Sequence, residues 1–267
     1  MNGIVDQGPV QLEQIAATHI VTLDHAPSRN ALSKEMLEAL LAEIDRASTG
    51  KNIKAVVIAA NGPAFSAGHD LKQLSAHRAD PDRGRAYFTS VMRLCAELMQ
   101  AIVRCPKPVI AAIEGVATAA GCQLVATCDL AVAGENAKFA TPGVNIGLFC
   151  STPMVALTRN VPRKRAMEML LLGEQLNARS AADYGLVNRV VPVGKARAEA
   201  LAMAAVIASK SPVTVAIGKQ AFYAQVEQPL AEAYTFAADV MVRNMLERDA
   251  AEGIGAFIEK RAAKWAE

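Results

Sequence analysis

The sequence predicts an α/β fold with a strand-and-helix core over residues 1–195 and a helical region over residues 196–267. Three observations predict it. Short apolar runs alternate with helical patterns through the first half. Two of those runs exit into turns of small residues that lead straight into a helix. After a last apolar run at Leu186–Val191, only helical patterns follow.

The elements follow in chain order. Ile20-Val21-Thr22-Leu23 reads as a strand. Ser33 is placed to cap a helix running to about Ser48, with Met36, Leu37, Leu40, Leu41 and Ile44 on one face. Ala55–Ala60 is a second buried strand, and a Gly/Pro loop follows it. A long helical pattern covers about Arg83 to Arg104, and Pro106 and Pro108 bracket the start of the next strand, which runs to Ile113. A helix starts near Ala120, and Leu130–Ala133 is a short strand. Thr152–Arg159 and Arg163–Leu172 read as helices broken at Pro162. Helical patterns then fill Lys195–Ser209, Pro212–Glu227 and Ala231–Glu247, and a charged final helix covers about Ile254 to Trp265.

The bulk numbers narrow the function. The chain has 267 residues, 52% of them hydrophobic and 20% charged, which is an ordinary globular balance. A net charge of +2 without a basic block predicts no nucleic-acid partner. The odd set Cys95, Cys105, Cys122, Cys128 and Cys150 has no zinc spacing and suggests reduced thiols in a cytoplasmic protein. Met1–Pro9 lacks the pattern of a secretory signal, and no apolar run is long enough to span a bilayer, so no membrane partner is expected. No metal-ligand cluster, GxGxxG pattern or P-loop is present, so no metal or permanently bound cofactor is expected.

Chemistry points to the two small-residue turns. Gly115–Leu124 follows a buried strand and runs into a helix N-terminus, where backbone N–H groups are free to bind an oxyanion. Gly62–Leu71 repeats the pattern and offers an N–H from Ala67 or Gly68. Two convergent N–H groups make an oxyanion hole; two tight turns without a role are the plainer alternative. Gln123 is the side chain best placed beside the second turn, and an amide serves neither as proton acid nor as base. His69 has a near-neutral ordinary pKa and lies beside a donor. Asp70 suits a helix cap, Glu114 a structural hydrogen bond, and Cys122 a buried inert thiol, although its place at a helix start would lower its pKa. Asn145 and Cys150 lie in the loop Gly143–Pro153.

Phe65–Leu71, Pro106–Ala111, Gly115–Leu124, Cys128–Ala131 with Phe139, Arg29–Ser33, Gly173-Glu174, Ala181–Val187 and Phe257–Arg261 together resemble the crotonase (enoyl-CoA hydratase/isomerase) superfamily, in order over nearly the whole chain. The resemblance implies a β-spiral core, C-terminal helices that mediate oligomerisation, a homotrimer or dimer of trimers, and acyl-CoA substrates, with coenzyme A entering as part of the substrate. It puts the oxyanion donors at Ala67 and Ala120, the latter usually Gly in the family. It puts the CoA side at Arg29, Ala31, Ala67 and Asp70; because the phosphates need cations, Lys72 and Lys260 are further candidates beside Arg29, with a solvated surface charge as the plainer reading of each.

The departures set the expectation for function. Hydratases of the family add water with two glutamates, and Gln123 and Gly143 stand at those positions here. Each acid–base role contributes about 10²–10⁴-fold in rate, so 2-enoyl-CoA hydration is expected to be slow. Restoring both carboxylates, Gln123→Glu with Gly143→Glu, is expected to raise it. The alternatives are isomerisation, decarboxylation or thioester hydrolysis through the same enolate, or acyl-CoA binding without chemistry. A nucleophilic hydrolase using Cys122 or Ser66 lacks a readable triad.

Overall fold

The structure, a computed structural model, describes the backbone of residues 5–266 and the side chains of residues 8–266. Residues 1–4 of the polar N-terminal stretch lie outside it. The hairpin β1 (Val5–Gln7) and β2 (Val10–Ile15) leads antiparallel into β3 (Thr18–Leu23). Val10 and Leu12 alternate inward along β2, a period of two that the sequence carries and that marks a half-buried strand. Helix α1 (Lys34–Thr49) starts as expected at Ser33, whose hydroxyl accepts the Met36 N–H at 3.2 Å.

There follow β4 (Ala55–Ala60), β5 (Ala64–Ser66), α2 (Leu71–Ala76), α3 (Arg85–Arg104), β6 (Val109–Ile113), β7 (Val116–Thr118), α4 (Ala120–Thr127), β8 (Leu130–Gly134) and β9 (Lys138–Ala140). Next come α5 (Ser151–Asn160), α6 (Arg163–Leu172), β10 (Leu176–Asn177), α7 (Ala178–Asp183) and β11 (Arg189–Val191), and last α8 (Ala196–Ala208), α9 (Pro212–Gln225), α10 (Leu230–Met245) and α11 (Arg248–Ile258).

The strands form two sheets. The larger has seven strands in the order β1-β2-β3-β4-β6-β8-β11, and the smaller has four in the order β10-β9-β7-β5. From β4 onward each turn of chain places one strand in each sheet: β4 then β5, β6 then β7, β8 then β9. Within each sheet those successive strands pair parallel. This is the β-spiral that the resemblance implies. The strands of the smaller sheet are two or three residues long and rich in Ala, too short for any periodicity to mark them.

Helix α8 corrects the expected boundary at residue 195. Its Ala196, Ala200 and Ala204 are buried against Ile20, Val57, Ile110 and Val132 of the larger sheet. Methyl side chains at every fourth position let the helix lie close on the sheet. The core therefore runs through α8, and the outer helical region begins at Pro212.

Helix α9 is tied to the core through one buried carboxylate. Lys219 donates to Asp129 at 2.7 Å and to the carbonyls of Ile102 and Lys107 at 2.9 and 3.0 Å. Asp129 also accepts from Tyr223 at 2.9 Å and from the Val109 N–H at 2.7 Å. Burial and this carboxylate push the Tyr223 phenol well above its ordinary pKa.

The last helix differs from expectation: it covers Arg248–Ile258 rather than Ile254–Trp265. Lys260 is left-handed (φ +55°) and ends it. Two acids of the helix then hold the tail that follows. Glu252 accepts from Arg261 at 2.6 and 3.0 Å and from the Lys264 N–H at 2.7 Å, and Asp249 accepts the Ala266 N–H at 2.8 Å.

Candidate active site

Three segments build the site, and close backbone approach sets their relation. Before α4, Ala119 takes an unusual positive-φ conformation (φ +49°, ψ −119°), and its N–H donates to Ala140 O at 2.9 Å. Helix α4 therefore begins abruptly at Ala120, and the Ala120 N–H has no acceptor within the helix or outside it among the described residues. The loop after β5 lies directly on this turn. A Cβ on Gly121 would meet Ser66 O at 2.4 Å, and one on Gly68 would meet Thr118 O at 3.0 Å and Ala120 N at 3.2 Å. Only glycine allows these approaches.

The loop from His25 to Leu32 holds that second loop in place. Asn30 is fully buried and left-handed (φ +53°). It accepts the His25 N–H and donates to the carbonyls of Asn61 and Ala64, each at 2.8 Å. One residue earlier, Arg29 O accepts the Ala67 N–H at 3.0 Å, and two residues later the Leu32 N–H donates to Gly68 O at 2.7 Å.

This arrangement corrects the first oxyanion donor. The Ala67 N–H is spent on Arg29, and the Gly68 N–H points to Ser66 Oγ at 3.3 Å. The His69 N–H, one residue after the Gly68 contact with Ala120, has no acceptor among the described residues. The sequence drew attention to the His69 side chain and missed its main chain. Ala120 keeps its place as the second free donor.

The His69 imidazole is a neutral neighbour of the site. Nδ1 faces Leu32 O at 3.3 Å and so carries the proton, which leaves Nε2 bare. Nε2 is buried without a partner. Burial holds the ring below its ordinary pKa of 6.5, with the Leu32 contact opposing. The folded ring resists a proton that the unfolded chain accepts. Stability is therefore expected to fall as pH drops below 6.5, and to stop falling once the folded value is passed. Melting scans from about pH 8 to pH 5 should show a smaller acid-induced loss for His69→Gln than for the parent.

Gln123 lies three residues after Ala120, on the same face of α4 and only 4% exposed. Its Oε1 accepts the Cys95 thiol of α3 at 3.9 Å, while Nε2 has no partner among the described residues. Burial pushes the Cys95 and Cys122 thiols up to about 12 and raises that of Cys150. All three are neutral thiols, so the effect of the helix start on Cys122 is overridden. Ser66 is fully buried and accepts from Gly68. A Cys122 or Ser66 nucleophile is therefore not what this site offers.

Gly143 is closed rather than vacant. A Cβ there would meet Leu148 O at 2.8 Å and Cys150 Sγ at 2.9 Å, because the loop folds back and the Leu148 N–H donates to Gly143 O at 2.9 Å. The expected gain from restoring a glutamate is thereby corrected. Gly143→Glu should cost about 1–3 kcal/mol from overpacking and leave hydration no faster, measurable by denaturant unfolding and by enoyl-CoA turnover. Cys150 was a pocket candidate and here fills that space.

The remaining candidates divide. Asn145 is exposed, and its amide faces Gly173 at the end of α6. Asp70 caps α2, accepting the N–H groups of Lys72 and Gln73 at 2.8 and 3.1 Å, so its carboxylate is already used. Glu114 holds the N–H groups of Gly194 and Ala196 and is structural. Arg29 and Lys72 are exposed beside the site, and Ala31 is buried there. Lys260 lies beyond α11, which packs on α9 and α10, so a single chain does not bring it to the site. Thr141 Oγ1, one residue after Ala140, is buried without a partner among the described residues, and no motif in the sequence marks it.

Comparison with known proteins agrees with this architecture. The family model described as enoyl-CoA hydratase/isomerase matches residues 13–267. The enoyl-CoA hydratase domain-containing protein 3, mitochondrial, of Rattus norvegicus is 48% identical over 245 residues, 92% of this chain and 80% of that protein. The crystal structure of an enoyl-CoA hydratase from Mycobacterium smegmatis superposes with a TM-score of 0.92 at 46% identity, covering 97% of this chain and 99% of that one. That of human enoyl-CoA hydratase domain-containing protein 3 gives 0.91 at 44%, covering 97% and 100%. With these matches over nearly its full length, the chain belongs to the enoyl-CoA hydratase/isomerase family.

Proposed function

We propose that the protein binds acyl-CoA thioesters, holds the thioester oxygen between the N–H groups of His69 and Ala120, and stabilises an enolate there. The observation that carries this reading is the pair of unpaired N–H groups on two adjoining turns. Fixed donors aimed at developing charge need no reorganisation when the enolate forms. Arg29 and Lys72, exposed beside the site, are suited to the CoA phosphates. Hydration of 2-enoyl-CoA is slow in this reading, because Gln123 takes no proton and Gly143 has no side chain.

The active assembly is a homotrimer or a dimer of trimers. Leu246 and Phe257 are 82% and 86% exposed on the outer helices, with Leu230, Met241, Met245 and Ile258 also exposed. An apolar surface of this extent is suited to a second copy, which could also bring its Lys260 to a neighbouring site.

Calorimetry with butyryl-CoA and turnover with short and medium 2-enoyl-CoAs test the reading. Saturable binding is expected, with hydration slower than in two-glutamate hydratases by at least about 10⁴-fold. Turnover at ordinary hydratase rates would overturn the claim about the missing carboxylates. Binding without conversion of any thioester would favour the purely binding alternative, which the neutral state of the thiols and of His69 also favours.

A further inference from the structure

Of the three thiols near Gln123, Cys95 and Cys122 are fully buried, and Cys150 keeps 8% exposure. The place of Cys150 follows from how α5 lies on α4. Asn160, the last residue of α5, donates from Nδ2 to Ala126 O near the end of α4 at 2.7 Å. The two helices therefore run the same way, with their first turns together. Cys150 immediately precedes α5 and lies near enough to Cys122 of α4 to add to the rise of that thiol's pKa. Its sulfur makes no capping bond to α5 and lies instead against Gly143, 2.9 Å from where a Cβ would stand. The sulfur is thus brought to the end of α4 that carries the free Ala120 N–H.

A second side chain marks this end of α4 as a place for a ligand. Gln123 is 4% exposed, its Oε1 accepts from Cys95 of α3, and its Nε2 faces away from α3 with no partner among the described residues. A helical side chain leans toward its N-terminal turn, here that of Ala120. A buried donor without a partner costs about 1–3 kcal/mol, and a bound molecule beside it removes that cost. The N–H groups and the amide take no proton, and the His69 ring has its bare nitrogen buried. We propose that Cys150 is a catalytic acid and base of this site, its sulfur taking a proton from the α-carbon of a bound acyl-CoA and returning one to the enolate.

This rests on the acyl-CoA reading given above. The thiol first loses its proton to water. The thiolate then takes the α-proton, and the electron pair of that C–H bond passes to the thioester oxygen between the His69 and Ala120 N–H groups. In the return step the S–H bond breaks, the α-carbon regains a proton, and the thiolate re-forms. The S–H proton exchanges with water between the two steps. Nothing is consumed, and no oxidant, reductant or cofactor is needed. The start of α5 favours the negative sulfur. Burial raises the Cys150 pKa above its ordinary 9.0, with the Gly143 main chain opposing and no charged side chain contributing. Cys122 is its titratable neighbour and is neutral. Once ionised, a thiolate is a stronger base than a carboxylate and takes a carbon-bound proton more readily. A single such group activates no water, in keeping with slow hydration.

The test follows deuterium uptake by butyryl-CoA in D₂O by mass spectrometry, on the purified full-length protein, with calorimetry in parallel. The expected result is uptake above the buffer rate, of one deuterium at the α-carbon because the sulfur addresses one face. Uptake should rise with pH into the range above 9, since the thiolate is the active form. Alkylation of Cys150 by iodoacetamide should rise along the same curve, and saturating butyryl-CoA should slow it. Cys150→Ser should lower uptake by about 10²–10⁴-fold, the usual weight of one acid–base group, while melting temperature and butyryl-CoA affinity hold. Cys150→Ala should do the same; where neither variant folds, the two curves of the parent decide. Uptake by Cys150→Ser at the parent's rate would overturn the proposal, as would uptake that does not follow the alkylation curve. Butyryl-CoA binding without uptake would overturn it and leave the acyl-CoA reading standing. Absence of binding would overturn both.

Discussion

Replacing Asn30 with alanine is expected to destabilise the protein by about 3 kcal/mol or more and to abolish its activity. Three groups lose their partner at once: the His25 N–H and the carbonyls of Asn61 and Ala64. The Ala64 carbonyl is the buried one of the three, and a buried group left unpaired costs about 1–3 kcal/mol, with smaller losses at the exposed residues His25 and Asn61. The substitution also places alanine at φ +53°, a conformation that asparagine tolerates better. The functional loss follows from position, since the neighbouring residues Arg29 and Leu32 pin the loop that carries the His69 N–H. Asn30→Asp is the informative partner variant. It keeps the acceptor toward His25 and sets a carboxylate against two carbonyls, so it should also fail. Chemical unfolding and acyl-CoA turnover measured on both variants check this; wild-type stability in Asn30→Ala would mean that the loop holds by other contacts.

Asp129→Ala should cost about 3–5 kcal/mol, the range for breaking a buried ion pair by removing one partner. The Lys219 ammonium, with its side chain 6% exposed, would keep its two carbonyl contacts but lose its counter-charge. The Val109 N–H and the Tyr223 hydroxyl would lose their acceptor as well. The loss should appear in α9 first, because Lys219 and Tyr223 both belong to it. Hydrogen exchange should therefore show α9 opening ahead of the larger sheet. The double variant Asp129→Ala with Lys219→Met should recover part of the loss, because no unpaired charge remains buried.

Much of the fold was legible because it rests on local patterns. Ser33, the apolar face of α1, the run Ala55–Ala60 and the prolines before Val109 each state an element without help from distant residues. The strands of the smaller sheet were not legible, since two or three residues carry no period. Helix α8 was legible as a helix, but its place on the sheet depends on the partners that its alanines meet. The end of the last helix is not legible from composition, which allows helix to Trp265, because the side chains of Asp249 and Glu252 capture the tail.

The candidate site divides in the same way. The sequence determined that small residues stand at two strand-to-helix turns, that a Gln and a Gly stand at positions 123 and 143, and which family the chain resembles. Those are matters of residue identity and order. Only the tertiary structure decided which N–H groups remain free. A backbone amide is available or spent according to the carbonyl that faces it, and the carbonyl facing Ala67 belongs to Arg29, 38 positions earlier in the chain. The same holds for Gly143, closed by a loop carbonyl, and for Gln123, whose amide is oriented by a thiol on another helix. Hydrogen-bond partners and close backbone contacts between distant segments are products of the packing, and this chain's chemistry depends on them.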